Sequence, residues 1–108
     1  MATIRILVIG RHPDILETVV NLINKNPDWS GTGVLTDQEA ITSAEKNEFN
    51  IILLTNGIDD CSEQILRRLL VKNNPEAILI QHYGGGSGLL YSEILHALNN
   101  RKQINTAI

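Results

Sequence analysis

Phe49-Asn50-Ile51-Ile52-Leu53-Leu54-Thr55-Asn56-Gly57 is the stretch whose reading decides the fold. Residues 51–54 leave no polar face, which predicts a strand buried on both sides, as in a parallel sheet covered by helices. The strand breaks at Thr55-Asn56-Gly57, a polar, turn-forming edge. In an open parallel sheet this carboxyl edge is where ligands collect. Upstream, Ile4–Ile9 has the same near-continuous apolar character and is expected to be a second buried strand, with Gly10-Arg11-His12 as its exit turn. Pro13 suits the first helical position, and Asp14 complements the positive helix end. Ile15, Leu16, Val19, Val20, Leu22 and Ile23 then follow the 3.6-residue period of a one-sided helix, which Asn24-Lys25-Asn26-Pro27 stops.

Residues 29–35 form a weaker strand signal, interrupted by Gly31 and Gly33, and an edge position accounts for that weakness. Thr36 and Glu39 have the capping-box spacing, and Ala40, Ile41 and Ala44 are expected to face inward on the helix that follows. Downstream of the central strand, Asp59 and Asp60 open a third helix with Ile65, Leu66, Leu69 and Leu70 inward and Arg67, Arg68 and Lys72 outward. Residues 77–80 are the fourth expected strand, and Gln81-His82-Tyr83 its polar exit. A glycine run, residues 84–88, then leads to a helix with Leu90, Ile94, Ala97 and Leu98 on one face. Residues 103–108 supply at most a very short last strand. This βαβαβαβα alternation implies an α/β protein, a flavodoxin-like three-layer α/β/α sandwich with right-handed crossovers. The most apolar strands belong in the middle, so the expected order is 2-1-3-4, with a stunted or missing fifth strand.

Composition bounds the rest. A chain of 108 residues is expected to be one domain, and an apolar share of 43% is that of a globular protein. Aromatics are only 4%, so the core rests on Ile, Leu, Val and Ala. A net charge of −3 with scattered Lys and Arg gives no basic patch, and no nucleic-acid partner is expected. Cys61 is the single cysteine, which excludes an internal disulfide. The start of the chain lacks a signal-peptide pattern and its apolar runs are too short for a bilayer, so a cytoplasmic location and no membrane partner are expected.

Ile4–Pro13 resembles the opening of response-regulator receiver domains, where a hydrophobic strand runs into an acidic pair and a His-Pro helix start. The likeness extends through element spacing to about Leu98. The departures fall on the chemistry. Receivers hold magnesium with two acidic residues after strand 1, where this chain has Gly10 and Arg11. Their phosphorylated aspartate, at the end of strand 3, corresponds to Thr55, and their hydroxyl residue after strand 4 to Gln81. Gly57-Ile58 replaces the Met-Pro turn, and the final strand with its lysine has no clear counterpart. The resemblance therefore implies a degenerate receiver: a regulatory module of signal transduction, acting through protein contacts, without aspartyl phosphorylation. Gly, Arg and Thr offer no carboxylate to a hard cation, so no magnesium site is expected there.

The order 2-1-3-4 brings Arg11, His12, Thr55, Asn56, Gln81, His82 and Tyr83 to the carboxyl edge, beside Gly84, Gly85, Gly86 and Ser87. Backbone N–H groups of the glycine run and the last helix dipole suit an anion, and Arg11 suits a bidentate contact to phosphate or carboxylate. This supports an alternative function, a small-ligand or anion-binding protein, enzyme included. The plain alternative is a loop ending in a Ser87 helix cap. The run is neither a P-loop nor a dinucleotide fingerprint, and no cofactor is expected. His12 and His82 would sit on strands about 10 Å apart with no third ligand, so no metal is expected. Thr55 and Ser87 lack an oriented base, so no catalytic residue is assigned. An apolar, uncharged strand 4 at the sheet edge needs cover. The expectation is that residues 103–108 fold back or exchange there, or that strand 4 and the last helix form a homodimer.

Overall fold

The computed structural model describes residues 4–55, 57–75, 77–81 and 92–98. Four parallel strands form one sheet: β1 (Ile4–Ile9), β2 (Trp29–Val34), β3 (Ile51–Leu54) and β4 (Ile78–Gln81), in the order β2-β1-β3-β4. Between them run α1 (Pro13–Asn24), α2 (Asp37–Lys46) and α3 (Asp60–Asn73). Residues 92–98 are also helical and are called α4. This is the expected flavodoxin-like arrangement, with β2 at one edge.

The buried strands earn their place by composition. All four residues of β3 are fully buried, as are Ile6, Leu7, Val8 and Ile9 of β1. Their alternate side chains feed two cores. One face carries Ile6, Val8, Ile51 and Leu53 against Leu16, Val19 and Ile23 of α1 and Ile94 of α4. The other carries Leu7, Ile9, Ile52 and Leu54 against Ala40 and Ala44 of α2 and Leu66 and Leu70 of α3. Each face is thus covered by two helices, and the helix after β4 lies on the α1 side. Periodicity announces that this helix has one apolar face; which side of the sheet receives it depends on the crossover, which no local pattern encodes.

Several expectations need adjustment. Ile65 is 45% exposed, because Leu66 and Leu70 point at the sheet and rotate Ile65 to the flank of α3. Ile15 is likewise 49% exposed on α1. The fourth strand begins at Ile78 and takes in Gln81, and the second ends at Val34. In the capping box, the Glu39 N–H donates to Thr36 Oγ1 at 3.1 Å, but the Glu39 carboxylate accepts from the N–H of Leu35, not of Thr36. Residues 103–108, together with Leu90, lie outside the described residues.

The glycines of β2 have a packing reason. A Cβ at Gly33 would stand 2.9 Å from Val20 Cγ2 and 3.1 Å from Leu16 Cγ, and one at Gly31 would stand 3.0 Å from Ile23 Cγ2. Helix α1 therefore rests directly on the backbone of β2.

Candidate functional site

The carboxyl edge of the sheet is built by the loops after β1 and β3, which touch. Gly10 follows β1, and a Cβ there would lie 2.6 Å from Thr55 Oγ1. Thr55 is 6% exposed, and both its N–H and its hydroxyl donate to Ile9 O, at 3.0 and 2.9 Å. Gly57 adopts φ +96°, a conformation that favours glycine, and a Cβ there would meet Arg11 Cβ at 3.3 Å and His12 Nε2 at 3.4 Å. A side chain added at Gly10 or Gly57 would therefore meet atoms of the facing loop.

The Arg11 side chain is directed away from this contact. Its guanidinium donates to Leu35 O at 3.1 Å and to Asp37 Oδ1 at 2.5 Å, across to the β2–α2 connection. The charge expected to be open to an anion is thus paired with a carboxylate. His12 occupies the cap position of α1 without a side-chain cap bond, and Pro13 follows at the first turn. Gln81 Nε2 donates to Glu63 Oε1, while Glu63 Oε2 accepts from Arg67 Nε at 3.0 Å. Although the strand ends bring no carboxylate, helix starts deliver Asp37, Asp59 and Glu63 to this rim. Among the described residues, no group of three or more His, Cys, Asp or Glu is placed to hold a metal ion. Asn56, His82, Tyr83, Gly84, Gly85, Gly86 and Ser87 lie outside the described residues.

Asp59 caps α3 by accepting the Ser62 N–H at 2.7 Å. That backbone hydrogen bond, the Ser62 hydroxyl and then the Arg11 charge hold its carboxyl below the ordinary range. Cys61 beside it is exposed and free, at a helix start with no partner chemistry in the described residues.

The opposite, amino-terminal edge contains what the sequence reading missed. Asn74 is 5% exposed; its Oδ1 accepts the Phe49 N–H at 2.8 Å and its Nδ2 donates to Ala44 O at 3.1 Å. A depression of about 100 Å³ lies here, lined by Glu48, Phe49, Asn50, Asn74 and Pro75 among others. Asn50 is committed as well, since its Oδ1 accepts the Arg5 N–H at 2.9 Å. An Asn-Pro pair after a helix reads as a stop signal, and only the fold reveals that Asn74 binds the last turn of α2 and the loop before β3, 30 and 25 residues away.

A parallel sheet of order 2-1-3-4 with two helices on each face defines the flavodoxin-like class of α/β proteins. Among solved structures, the chain is similar to one described as a trimeric coiled coil of yeast Spc42 fused to another protein, with a TM-score of 0.67 and 14% identity over 95% of this chain and 84% of that one. At that identity the likeness speaks for the fold. No protein-family model and no curated protein matches the chain. None of the helices searched among the described residues is long and apolar enough to cross a membrane.

Proposed function

We propose that this chain is a pseudo-receiver, a flavodoxin-like regulatory module without phosphoacceptor chemistry, which acts through protein contacts made by β4 and the last helix. The observation that carries this reading is the close approach of Gly10 to Thr55. A receiver needs an acidic residue at each of these positions. Here a Cβ at position 10 already meets Thr55 Oγ1, and Thr55 spends its hydroxyl on Ile9 O. An aspartate at 10 would require Thr55 to rotate and abandon a buried hydrogen bond. The committed Arg11 and Gln81 side chains support the same reading, because neither is free to greet a ligand. Exposed apolar surface supports it as well. Ile15, Ile65, Val71 and Leu95 are large apolar side chains between 38% and 49% exposed, spread over three helices.

The test combines phosphorylation and ligand binding. Incubation with acetyl phosphate and Mg²⁺ is expected to leave the intact mass unchanged, and phosphate, nucleotides and divalent metals to leave the melting temperature unchanged. An added phosphoryl group overturns the reading. A large upward shift with one ligand also overturns it, and favours a small-ligand or anion-binding protein built on the glycine run.

A further inference from the structure

The two edges of the sheet are finished differently. In β2, the carbonyls of Asp28 and Val34 accept from Ile4 and Gly10 of the β1 side, so alternate residues Trp29, Gly31, Gly33 and Leu35 turn their backbone groups outward. Four of those outward groups are occupied within the chain. The Trp29 N–H donates to Asn26 O at 3.1 Å, and the Gly31 N–H to Asn24 Oδ1 at 2.8 Å. Leu35 donates to Glu39 and accepts from Arg11. A strand approaching there would find the row interrupted at Trp29, Gly31 and Leu35.

In β4 the Ile78 N–H donates to Asn50 O, on the β3 side. Ile78 and Ile80 therefore serve the internal ladder, while Leu79 and Gln81 direct N–H and C=O outward. Among the described residues nothing pairs with these groups, and β4 is the last strand of the sheet. All four β4 residues are half-buried, and Ile78-Leu79-Ile80-Gln81 carries no charge to repel a neighbour. Arg67, whose flank of α3 reaches Gln81 through Glu63, is followed one turn later by Val71, which is 44% exposed.

We infer that β4 pairs antiparallel with β4 of a second copy of this chain, about a two-fold axis at Ile80, joining two four-stranded sheets into one continuous sheet. This deepens the reading of β4 as the partner surface and rests on it. The register follows from the outward groups. Leu79 of one protomer lies opposite Gln81 of the other, each pair exchanging two N–H···O bonds, and the two Ile80 residues meet as the close, non-hydrogen-bonded pair. The arrangement is self-complementary, as an isologous contact requires. The chain's own end is the poorer occupant. A strand added in parallel beyond β4 by a right-handed crossover needs its preceding helix on the α2–α3 face, but α4 packs on the α1 face with Ile94 buried. Residues 99–108 would reach that position only through the disfavoured left-handed connection.

Sedimentation of the full chain across micromolar to millimolar concentration, with amide exchange at Leu79 and Gln81, tests the inference. The wild type is expected to form a dimer that dissociates on dilution, both amides being protected in the dimer and exchanging freely in the monomer. Gln81→Pro removes an outward N–H while leaving the β3–β4 ladder intact, and is expected to be monomeric with an unchanged monomer fold by circular dichroism. Gln81→Ala keeps the N–H, loses the contact with Glu63, and is expected to dimerise still. A wild type that stays monomeric at millimolar concentration overturns the inference, whether the two amides exchange freely or are protected by the chain's own end. So does Gln81→Pro dimerising as the wild type does. None of these outcomes bears on phosphoryl transfer, so the absence of phosphoacceptor chemistry stands or falls separately.

Discussion

The two edge strands face the same hazard and answer it in opposite ways. β2 is short of side chains but rich in internal bonds: Gly31 and Gly33 let α1 press against its backbone, and Asn24, Asn26, Glu39 and Arg11 take up half of its outward groups. β4 is apolar and half-buried, and among the described residues its outward groups meet no partner. A closed edge is made by spending polar side chains on the backbone. An open one is made by withholding them, which leaves its outward amides without an internal partner.

The largest effect is expected where β4 enters the sheet. Asn74→Ala removes both side-chain bonds of a buried asparagine and strands the Phe49 N–H and the Ala44 carbonyl. Urea unfolding should show a loss of about 3 kcal/mol, the scale of two buried polar groups left unpaired. An unchanged midpoint would mean that this entry is held by packing alone. At the closed edge, Gly33→Ala forces a methyl group against Val20 and Leu16 of α1. The expected cost is about 1–2 kcal/mol, partly offset by the stiffer unfolded chain. A gain in stability would show that α1 does not rest on β2 as tightly as the distances imply.

Arg11→Ala tests how much of the closure of β2 is electrostatic. Its pair with Asp37 is partly exposed, so the loss should be about 1 kcal/mol or less and should shrink in high salt. The smallest effect separates the helices behind the two edges. α2 is capped by a hydroxyl, Thr36, whereas α3, which leads to β4, is capped by the carboxylate of Asp59. The folded-state pKa of Asp59 lies below its unfolded value, so its contribution is fully present above the unfolded pKa and is lost as pH falls through the folded one. Asp59→Asn keeps a cap but not the charge. Its melting temperature should fall below that of the wild type at neutral pH, with the gap closing in acid. A gap that persists in acid would remove the charge from the explanation.

The comparison also separates what local pattern can and cannot reveal. The unbroken apolar runs of β1 and β3 announce central parallel strands, because burial on both faces leaves no room for alternation. The glycines of β2 announce an edge, and Thr36 and Asp59 announce helix starts. Arg11 was legible as a residue at the strand ends but not as one paired with Asp37, 26 positions away. Asn74 was legible as a helix stop, and its role as the tie to α2 and to the loop before β3 exists only once the chain is folded. Gly10 and Thr55 were each readable as departures from an acidic site. That they face each other too closely for a side chain at position 10 depends on a distance no spacing encodes.

The position of α4 has a consequence for how this architecture can grow. With two helices on each side, the layers are already balanced around four strands. Inserting one helix and one strand between Gln81 and residue 92 would obey the usual handedness without displacing anything: the new helix would join α2 and α3, the new strand would flank β4, and α4 would remain where it is. Such a lengthened chain would turn β4 into an interior strand and hand the edge to the new one, whose side chains would then decide whether a second copy can dock.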